Sequence, residues 1–130
     1  MTAEYILVVD DDEDIGVLIA DVLQRLGIPV RWAKDGNDGL YFMRQAIPSM
    51  VLLDLCMPHT TGWELVKQIR SEPGTQHIPL IVVTSFPIDA RLLDSLGLTA
   101  DRIVRKSEIM ERLPVVVSDI IEGKRTKTAQ

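Results

Sequence analysis

Short apolar runs alternate along the chain with segments in which apolar residues recur every three or four positions. Five such runs predict strands, over residues 5–9, 29–33, 50–54, 80–83 and 102–105. Apolar runs of this length, without polar alternation, are typical of strands that are buried on both faces of a parallel sheet. Pro29 and Arg31 favour an edge position for the second strand, because proline cannot donate to a neighbouring strand.

Each run is followed by a segment with helical periodicity. The first helix is predicted from an apolar face made of Ile15, Leu18, Ile19, Val22, Leu23 and Leu26, and Gly27 ends it. Further helices are predicted over residues 37–46, from Thr60-Thr61-Gly62 onward, over 88–96, and after Lys106, with Pro114 in the first turn of the last helix. Five strands that alternate with five helices predict right-handed crossovers and a doubly wound α/β sheet.

Length and composition indicate one domain. The 130 residues can bury a core without disulfides, and the single cysteine, Cys56, is compatible with a reducing compartment. No stretch approaches the roughly 18 apolar residues that span a bilayer, so we expect a cytoplasmic protein without membrane insertion. The net charge of −5 argues against direct nucleic-acid binding. Residues 1–123 are predicted to form the domain, and residues 124–130 a basic flexible tail.

Polar side chains stand at the carboxyl ends of four of the predicted strands. These residues are Asp10 and Asp11, Asp54, Thr84 and Lys106. Because the carboxyl ends of parallel strands meet at one edge of the sheet, we expect them to converge there. Three carboxylates about 5 Å apart repel one another by a few kcal/mol per pair at an effective dielectric of ~20, so the cluster requires a cation or shared protons. Ligands that are all oxygen favour Mg²⁺.

A magnesium-bound carboxylate next to a hydroxyl and an ammonium group suits phosphoryl chemistry. The carboxylate can attack a phosphoryl group while the metal offsets charge on the transferring oxygens. Thr84 can donate to one phosphoryl oxygen, and Lys106 can pair with another. The sequence therefore predicts phosphorylation of an aspartate. The neighbouring acids Asp12, Glu13 and Asp14 are expected only to cap the first helix and favour its dipole.

The residues at the strand ends resemble those of the receiver domain of two-component response regulators. The matching segments are Leu7-Val8-Val9-Asp10-Asp11, Leu52-Leu53-Asp54-Leu55-Cys56-Met57-Pro58 with Gly62 following, Val82-Val83-Thr84-Ser85, and Val104-Arg105-Lys106. The resemblance covers residues 4–123. It implies a flavodoxin-like, CheY-like fold, in which a five-stranded parallel sheet of order 2-1-3-4-5 carries helices on both faces.

The resemblance also implies a role for each site residue. Asp54 would accept a phosphoryl group from the phosphohistidine of a sensor histidine kinase or phosphotransfer protein. Asp11 and Asp54 would ligate Mg²⁺ together with the backbone carbonyl of Cys56, while Asp10 would act mainly through bound water. Thr84 and Lys106 would sense the phosphoryl group. The domain would assist only its own phosphotransfer and dephosphorylation, so we do not expect an enzyme that acts on other substrates.

Partners are implied in the same way. A kinase would dock on the first helix, which adjoins the acidic residues. A downstream protein, or a second copy of the chain, would bind the face made by the fourth helix, the fifth strand and the last helix. Signalling would then proceed through phosphorylation-dependent protein–protein binding.

The sequence leaves two alternatives open. Ile103 stands where the family often has tyrosine or phenylalanine, and Ser107 where it usually has proline, so the usual cis peptide is expected to be absent. Both departures favour a phosphorylation-independent adaptor with the same fold. The other alternative is an enzyme of this fold class, either an FMN protein or an aspartate-nucleophile phosphatase. Against it, the sequence has no phosphate-binding loop after the first strand and no acid two residues after Asp54.

Overall fold

The computed structural model describes residues 4–55, 57, 62–85, 88, 90–95 and 102–129. The strands are β1 (Ile6–Val9), β2 (Val30–Ala33), β3 (Met50–Leu53), β4 (Leu80–Thr84) and β5 (Arg102–Arg105). The helices are α1 (Glu13–Gln24), α2 (Gly36–Gln45), α3 (Gly62–Ser71), α4 (Ala90–Ser95) and α5 (Ile109–Ala129). All strand pairs are parallel, in the order β2-β1-β3-β4-β5, which confirms the predicted fold.

Helices cover both faces of the sheet, which explains why its central strands are apolar apart from Thr84 at the end of β4. In β1, Leu7 and Val9 pack against residues of α2, α3 and α4. The alternate residues Ile6 and Val8 pack against α1 and α5. Since successive strand residues point to opposite faces, both sets are buried, and so are all the residues of β3 and β4.

The first helix begins as the sequence predicts. Asp12 is the N-cap residue of α1, and its side chain accepts hydrogen bonds from the backbone N–H groups of Asp14 and Ile15. The acidic Glu13 and Asp14 lie in the first turn, where negative charge is favourable. The structure therefore confirms the cap at Asp12 and the favourable first-turn position of Glu13 and Asp14.

The last helix differs from the prediction at both ends. A 3₁₀ turn over Lys106–Glu108 leads directly from β5 into α5, so the helix begins at Ile109 and Pro114 lies inside it. The placement of Pro114 in the first turn was wrong. The helical backbone begins earlier than expected, since the polar residues that precede it show no periodic apolar pattern from which its start could be predicted. At its other end α5 continues to Ala129, across most of the segment expected to be a flexible tail. The domain boundary at residue 123 stays a prediction.

Two further expectations concern the backbone. No peptide bond within the described segments is cis, so the bond between Lys106 and Ser107 is trans. None of the helices in those segments combines the length and the apolar character needed to cross a bilayer.

Tyr5 anchors the entrance of β1 to the end of α2. Its hydroxyl donates to the backbone carbonyl of Ala46 at 2.5 Å and lies 3.3 Å from that of Phe42. Burial raises the pKa of this hydroxyl, although the nearby Arg31 opposes the shift, so the neutral donor is the relevant form. The contact joins residues that are far apart in sequence, at the end of the sheet opposite the acidic residues.

We expect Tyr5→Phe to lower the free energy of unfolding by about 1 kcal/mol, because it removes a buried donor while the ring can stay in place. Urea unfolding followed by circular dichroism measures this change. A variant as stable as the natural chain would show that this hydrogen bond makes no net contribution.

Candidate functional site

The register of the sheet brings the predicted site residues to one edge. Val9 of β1 pairs with Leu53 of β3, so Asp10 and Asp54 occupy equivalent positions immediately after their strands. The backbone N–H of Asp54 donates to the carbonyl of Val9 at 3.1 Å, which ties the two strand ends together. Thr84 is the last residue of β4 and is fully buried.

Three carboxylates form a compact cluster at this edge. Oxygen atoms of Asp10, Asp11 and Asp54 all lie within 4.8 Å of one another. Asp10 and Asp54 are only 1% and 5% exposed, whereas Asp11 is open to solvent. Two buried acids therefore form the floor of the cluster, and an accessible one stands at its rim.

Lys106 bridges the two buried acids. Its Nζ lies 2.9 Å from Oδ2 of Asp54 and 3.0 Å from Oδ2 of Asp10. The lysine side chain is 16% exposed, because the 3₁₀ turn after β5 directs it into the site. Burial disfavours the charged ammonium, but its contacts with Asp54 and Asp10 outweigh burial and raise the pKa of Lys106 above its usual value. The lysine is therefore a cation held between two carboxylates.

The buried Asp10 is only partly compensated. Its Oδ1 accepts a hydrogen bond from the backbone N–H of Asp12 at 2.9 Å. Its Oδ2 contacts the Lys106 ammonium, which it shares with Asp54. Burial raises the pKa of the Asp10 carboxyl, and the neighbouring Asp54 adds to the rise, against the opposing effects of Asp12 and Lys106.

This raised pKa predicts an unusual dependence of stability on pH. In the unfolded chain the carboxyl of Asp10 has its ordinary pKa of 3.8, and in the folded chain its pKa is higher. At pH values between the two, folding takes up a proton. The contribution of Asp10 to the free energy of unfolding therefore falls as pH rises. Asp10→Asn removes this dependence. In metal-free buffer, we therefore expect the stability of the variant relative to the natural chain to increase with pH across this window. Urea unfolding at a series of pH values measures the trend.

The matched control is Asp119→Asn, which changes an exposed acid of α5 far from the sheet edge. Its stability difference from the natural chain should not rise in this way. A constant difference for Asp10→Asn across the window would contradict the assignment of a raised pKa to Asp10.

The donor set fits a hard divalent cation. All the side-chain ligands in the cluster are carboxylate oxygens, which Mg²⁺ prefers. The buried Asp10 Oδ2 shares a single ammonium group with Asp54, so a bound cation or its water would add to its compensation. The fourth predicted ligand, the carbonyl of Cys56, lies outside the described residues, and its role stays a prediction.

Two contacts that support the site were not anticipated from the sequence. The indole N–H of Trp32 donates to the backbone carbonyl of Asp10 at 2.8 Å. At the start of α3, the Cα of Gly62 packs so closely on the loop after β3 that an added Cβ would overlap the Asp54 carbonyl oxygen and lie 2.6 Å from the Cα of Leu55. A glycine four residues after Met-Pro hints at such a close approach, but no sequence pattern pairs Trp32 with Asp10.

Comparison with known proteins decides the family. Residues 6–118 match the family described as "Response regulator receiver domain". The chain belongs to this family. Receiver domains are signalling domains of two-component systems, work with histidine kinases, and bind Mg²⁺ at a cluster of acidic residues. The cluster of Asp10, Asp11 and Asp54 corresponds to that feature.

Individual relatives agree with this assignment. The receiver is 30% identical over 125 residues to "Probable methanogenesis regulatory protein FilR2" of Methanothrix harundinacea, across 90% of this chain and 81% of that protein. It is 32% identical over 105 residues to "Probable transcriptional regulator ycf27" of Guillardia theta, across 81% of this chain but only 40% of that protein. The chain thus spans less than half of the second relative.

Solved structures show the same fold. The receiver domain of NtrX from Brucella abortus superposes on this receiver with a TM-score of 0.78 and 26% sequence identity. The superposition covers 90% of this chain and 98% of that domain. The prediction of a CheY-like receiver fold is therefore confirmed.

Proposed function

We propose that Asp54 of this receiver accepts a phosphoryl group from the phosphohistidine of a sensor histidine kinase or a phosphotransfer protein, in a reaction that depends on Mg²⁺. The observation that carries this proposal is the setting of the Asp54 carboxylate. It is buried, it lies 2.9 Å from the ammonium group of Lys106, and it shares a cluster with Asp10 and Asp11. These are the groups that a carboxylate needs in order to attack an anionic phosphoryl group.

The transfer forms one bond and breaks one. An oxygen of the Asp54 carboxylate attacks phosphorus, forming the P–O bond of an acyl phosphate. The P–N bond of the donor breaks at the same centre, and its electron pair stays on the imidazole nitrogen, which takes up a proton from solvent. No other reactant is needed, so the receiver modifies only itself and is not an enzyme that acts on other substrates.

Each residue of the site has a place in this step. Asp11 and Asp54, with the Cys56 carbonyl, would hold Mg²⁺, and Asp10 would act mainly through a bound water. When bound, Mg²⁺ supplies positive charge that offsets the charge on the phosphoryl oxygens. Lys106 already contacts the Asp54 carboxylate. Once Asp54 is phosphorylated, the ammonium group of Lys106 can pair with a phosphoryl oxygen in place of a carboxylate oxygen. The Thr84 hydroxyl would donate to another phosphoryl oxygen.

The partners follow from the position of the site. A kinase histidine domain would dock on α1, which begins immediately after the acidic residues and exposes 62% of Val17. Phosphorylation at Asp54 would act through Thr84 on the face made by α4, β5 and α5, where a downstream protein or a second copy of the receiver would bind. Such signalling suits a cytoplasmic location.

The proposal is tested with phosphoramidate, a small donor that has the P–N bond of phosphohistidine. Intact-mass analysis should show one phosphoryl adduct when Mg²⁺ is present and none in EDTA. If the receiver forms no adduct and calorimetry detects no Mg²⁺ binding, the phosphorylation-independent adaptor replaces this proposal. The trans peptide after Lys106 and the Ile103 side chain are the features of this chain that agree with that alternative.

A further inference from the structure

Trp32 lies on the edge strand β2, yet its side chain reaches the acidic loop that follows β1. Its indole Nε1 donates to the backbone carbonyl of Asp10 at 2.8 Å. The bond links residues separated by 22 positions and crosses from one strand to the exit of its neighbour. The ring itself is partly buried against the core between the sheet and α1 and α5.

A close fit to α1 holds the indole in place. Gly16 of α1 faces the ring, and a Cβ at this position would lie 2.7 Å from Cδ1 and 2.8 Å from Nε1 of Trp32. Real Cβ atoms do not approach so closely. Glycine therefore creates the space that lets the indole pass α1 and reach the Asp10 carbonyl.

The hydrogen bond acts on the peptide group between two residues of the acidic cluster. The Asp10 carbonyl and the Asp11 N–H belong to one planar unit, so fixing the carbonyl fixes the direction in which the chain enters Asp11. The peptide on the other side of Asp10 is held as well, because its N–H donates to the carbonyl of Ala33 at 3.0 Å. Both anchors come from the end of β2.

The side chain of Asp10 is fixed within the same loop by the N–H of Asp12. Asp11, in contrast, is exposed, and the peptide group that leads into it accepts a hydrogen bond from the indole of Trp32, which lies outside the loop. We propose that Trp32 is a positioning residue for the divalent-cation site and holds Asp11 in register with Asp54. The inference rests on the proposed function, since it assumes that these carboxylates bind a cation.

Partners that orient metal ligands have large effects on affinity. Losing such a contact typically weakens metal binding by about 10-fold or more. The variant Trp32→Phe keeps an aromatic ring against Gly16 but removes the donor. We expect its affinity for Mn²⁺ to fall by about 10-fold, measured from the electron paramagnetic resonance signal of the free ion, and its calorimetric affinity for Mg²⁺ to fall alongside.

The matched control is Tyr5→Phe. It also removes one donor from an aromatic side chain that bonds a backbone carbonyl, but at the opposite end of the same sheet. Both variants should lose some stability, whereas only Trp32→Phe should lose metal affinity. A purely structural role for Trp32 predicts that the two variants keep the natural affinity for Mn²⁺.

A second variant disturbs the same hydrogen bond by displacing the indole. It provides a test if Trp32→Phe does not fold. Gly16→Ala keeps the indole donor but pushes the ring away from its position, so it should weaken Mn²⁺ binding as well. Because both changes act on one hydrogen bond, the double variant should bind no more weakly than Trp32→Phe alone.

The outcomes separate this inference from the proposed function. Unchanged Mn²⁺ affinity in folded Trp32→Phe, or an equal loss in Tyr5→Phe, overturns the role of Trp32 and leaves the phosphoryl-acceptor site intact. A natural chain that binds neither Mn²⁺ nor Mg²⁺ overturns both.

Discussion

Replacing Gly62 with alanine is expected to destabilise this receiver by about 3 kcal/mol and to weaken Mg²⁺ binding at the acidic cluster. The first residue of α3 packs against the backbone just after β3, and a Cβ there would meet the carbonyl oxygen of Asp54 and the Cα of Leu55. These neighbours are backbone atoms, which cannot rotate away as a side chain can. Either α3 or the loop that carries Asp54 must therefore move. Urea unfolding measures the loss of stability, and a Mg²⁺ titration measures the displacement of the site.

The matched control is Gly123→Ala, the same substitution in α5 at a position where an added Cβ has nothing within 4 Å. Helix propensity favours alanine there by about 1 kcal/mol, so this variant should be slightly more stable than the natural chain. If Gly62→Ala behaves like Gly123→Ala, the close contact between α3 and the Asp54 loop does not exist in solution.

The other large effect is expected from Lys106→Met in metal-free buffer. Removing the ammonium leaves Asp10 and Asp54 buried side by side without the cation that bridges them. Breaking a buried ion pair from one side typically costs about 3 kcal/mol or more. Chemical unfolding in EDTA near neutral pH measures this loss.

Mg²⁺ should reverse much of this loss, because a divalent cation neutralises the same carboxylates. By linkage, the variant should bind Mg²⁺ more tightly than the natural chain does. Lys67→Met, which changes an exposed lysine of α3, is the control and should alter neither quantity. A Lys106→Met variant that is as stable as the natural chain in EDTA would show that the bridge contributes nothing to the folded state.

The sequence predicts the fold well because the composition of the central strands suits only a position in which both faces are buried. The runs in β1 and β3 contain no polar residue, and β4 contains one only at its last position, Thr84, a pattern typical of strands covered on both faces. Once those strands are parallel, the residues that follow them must share an edge. The convergence of Asp10, Asp54 and Lys106 is therefore a consequence of topology that the sequence already contains.

The start of α5 could not be predicted in the same way. Lys106-Ser107-Glu108 has no apolar period, yet its backbone already turns as a 3₁₀ helix. Placing Pro114 in the first turn followed a general preference of proline, but the turn after β5 moves the helix start to Ile109.

Contacts between distant segments could not be predicted from the sequence either. Nothing in the residues around Trp32 indicates that its indole bonds the Asp10 carbonyl, because the contact depends on the missing side chain of Gly16 in another element. Lys106 was expected to meet a phosphoryl oxygen, whereas the structure shows what it binds beforehand, the two buried carboxylates. Hydrogen bonds of this kind follow from packing in three dimensions and leave no periodic pattern.

Asp54, rather than a neighbouring acid, is proposed to carry the phosphoryl group. Treating the phosphorylated receiver with borohydride reduces an aspartyl phosphate to homoserine, which tandem mass spectrometry of the peptides locates. We predict homoserine at position 54 only, dependent on Mg²⁺, and no modification in Asp54→Asn, while Asp119→Asn is modified like the natural chain. Homoserine at position 10 or 11, or an adduct that persists in Asp54→Asn, would show that Asp54 is not the phosphoryl acceptor.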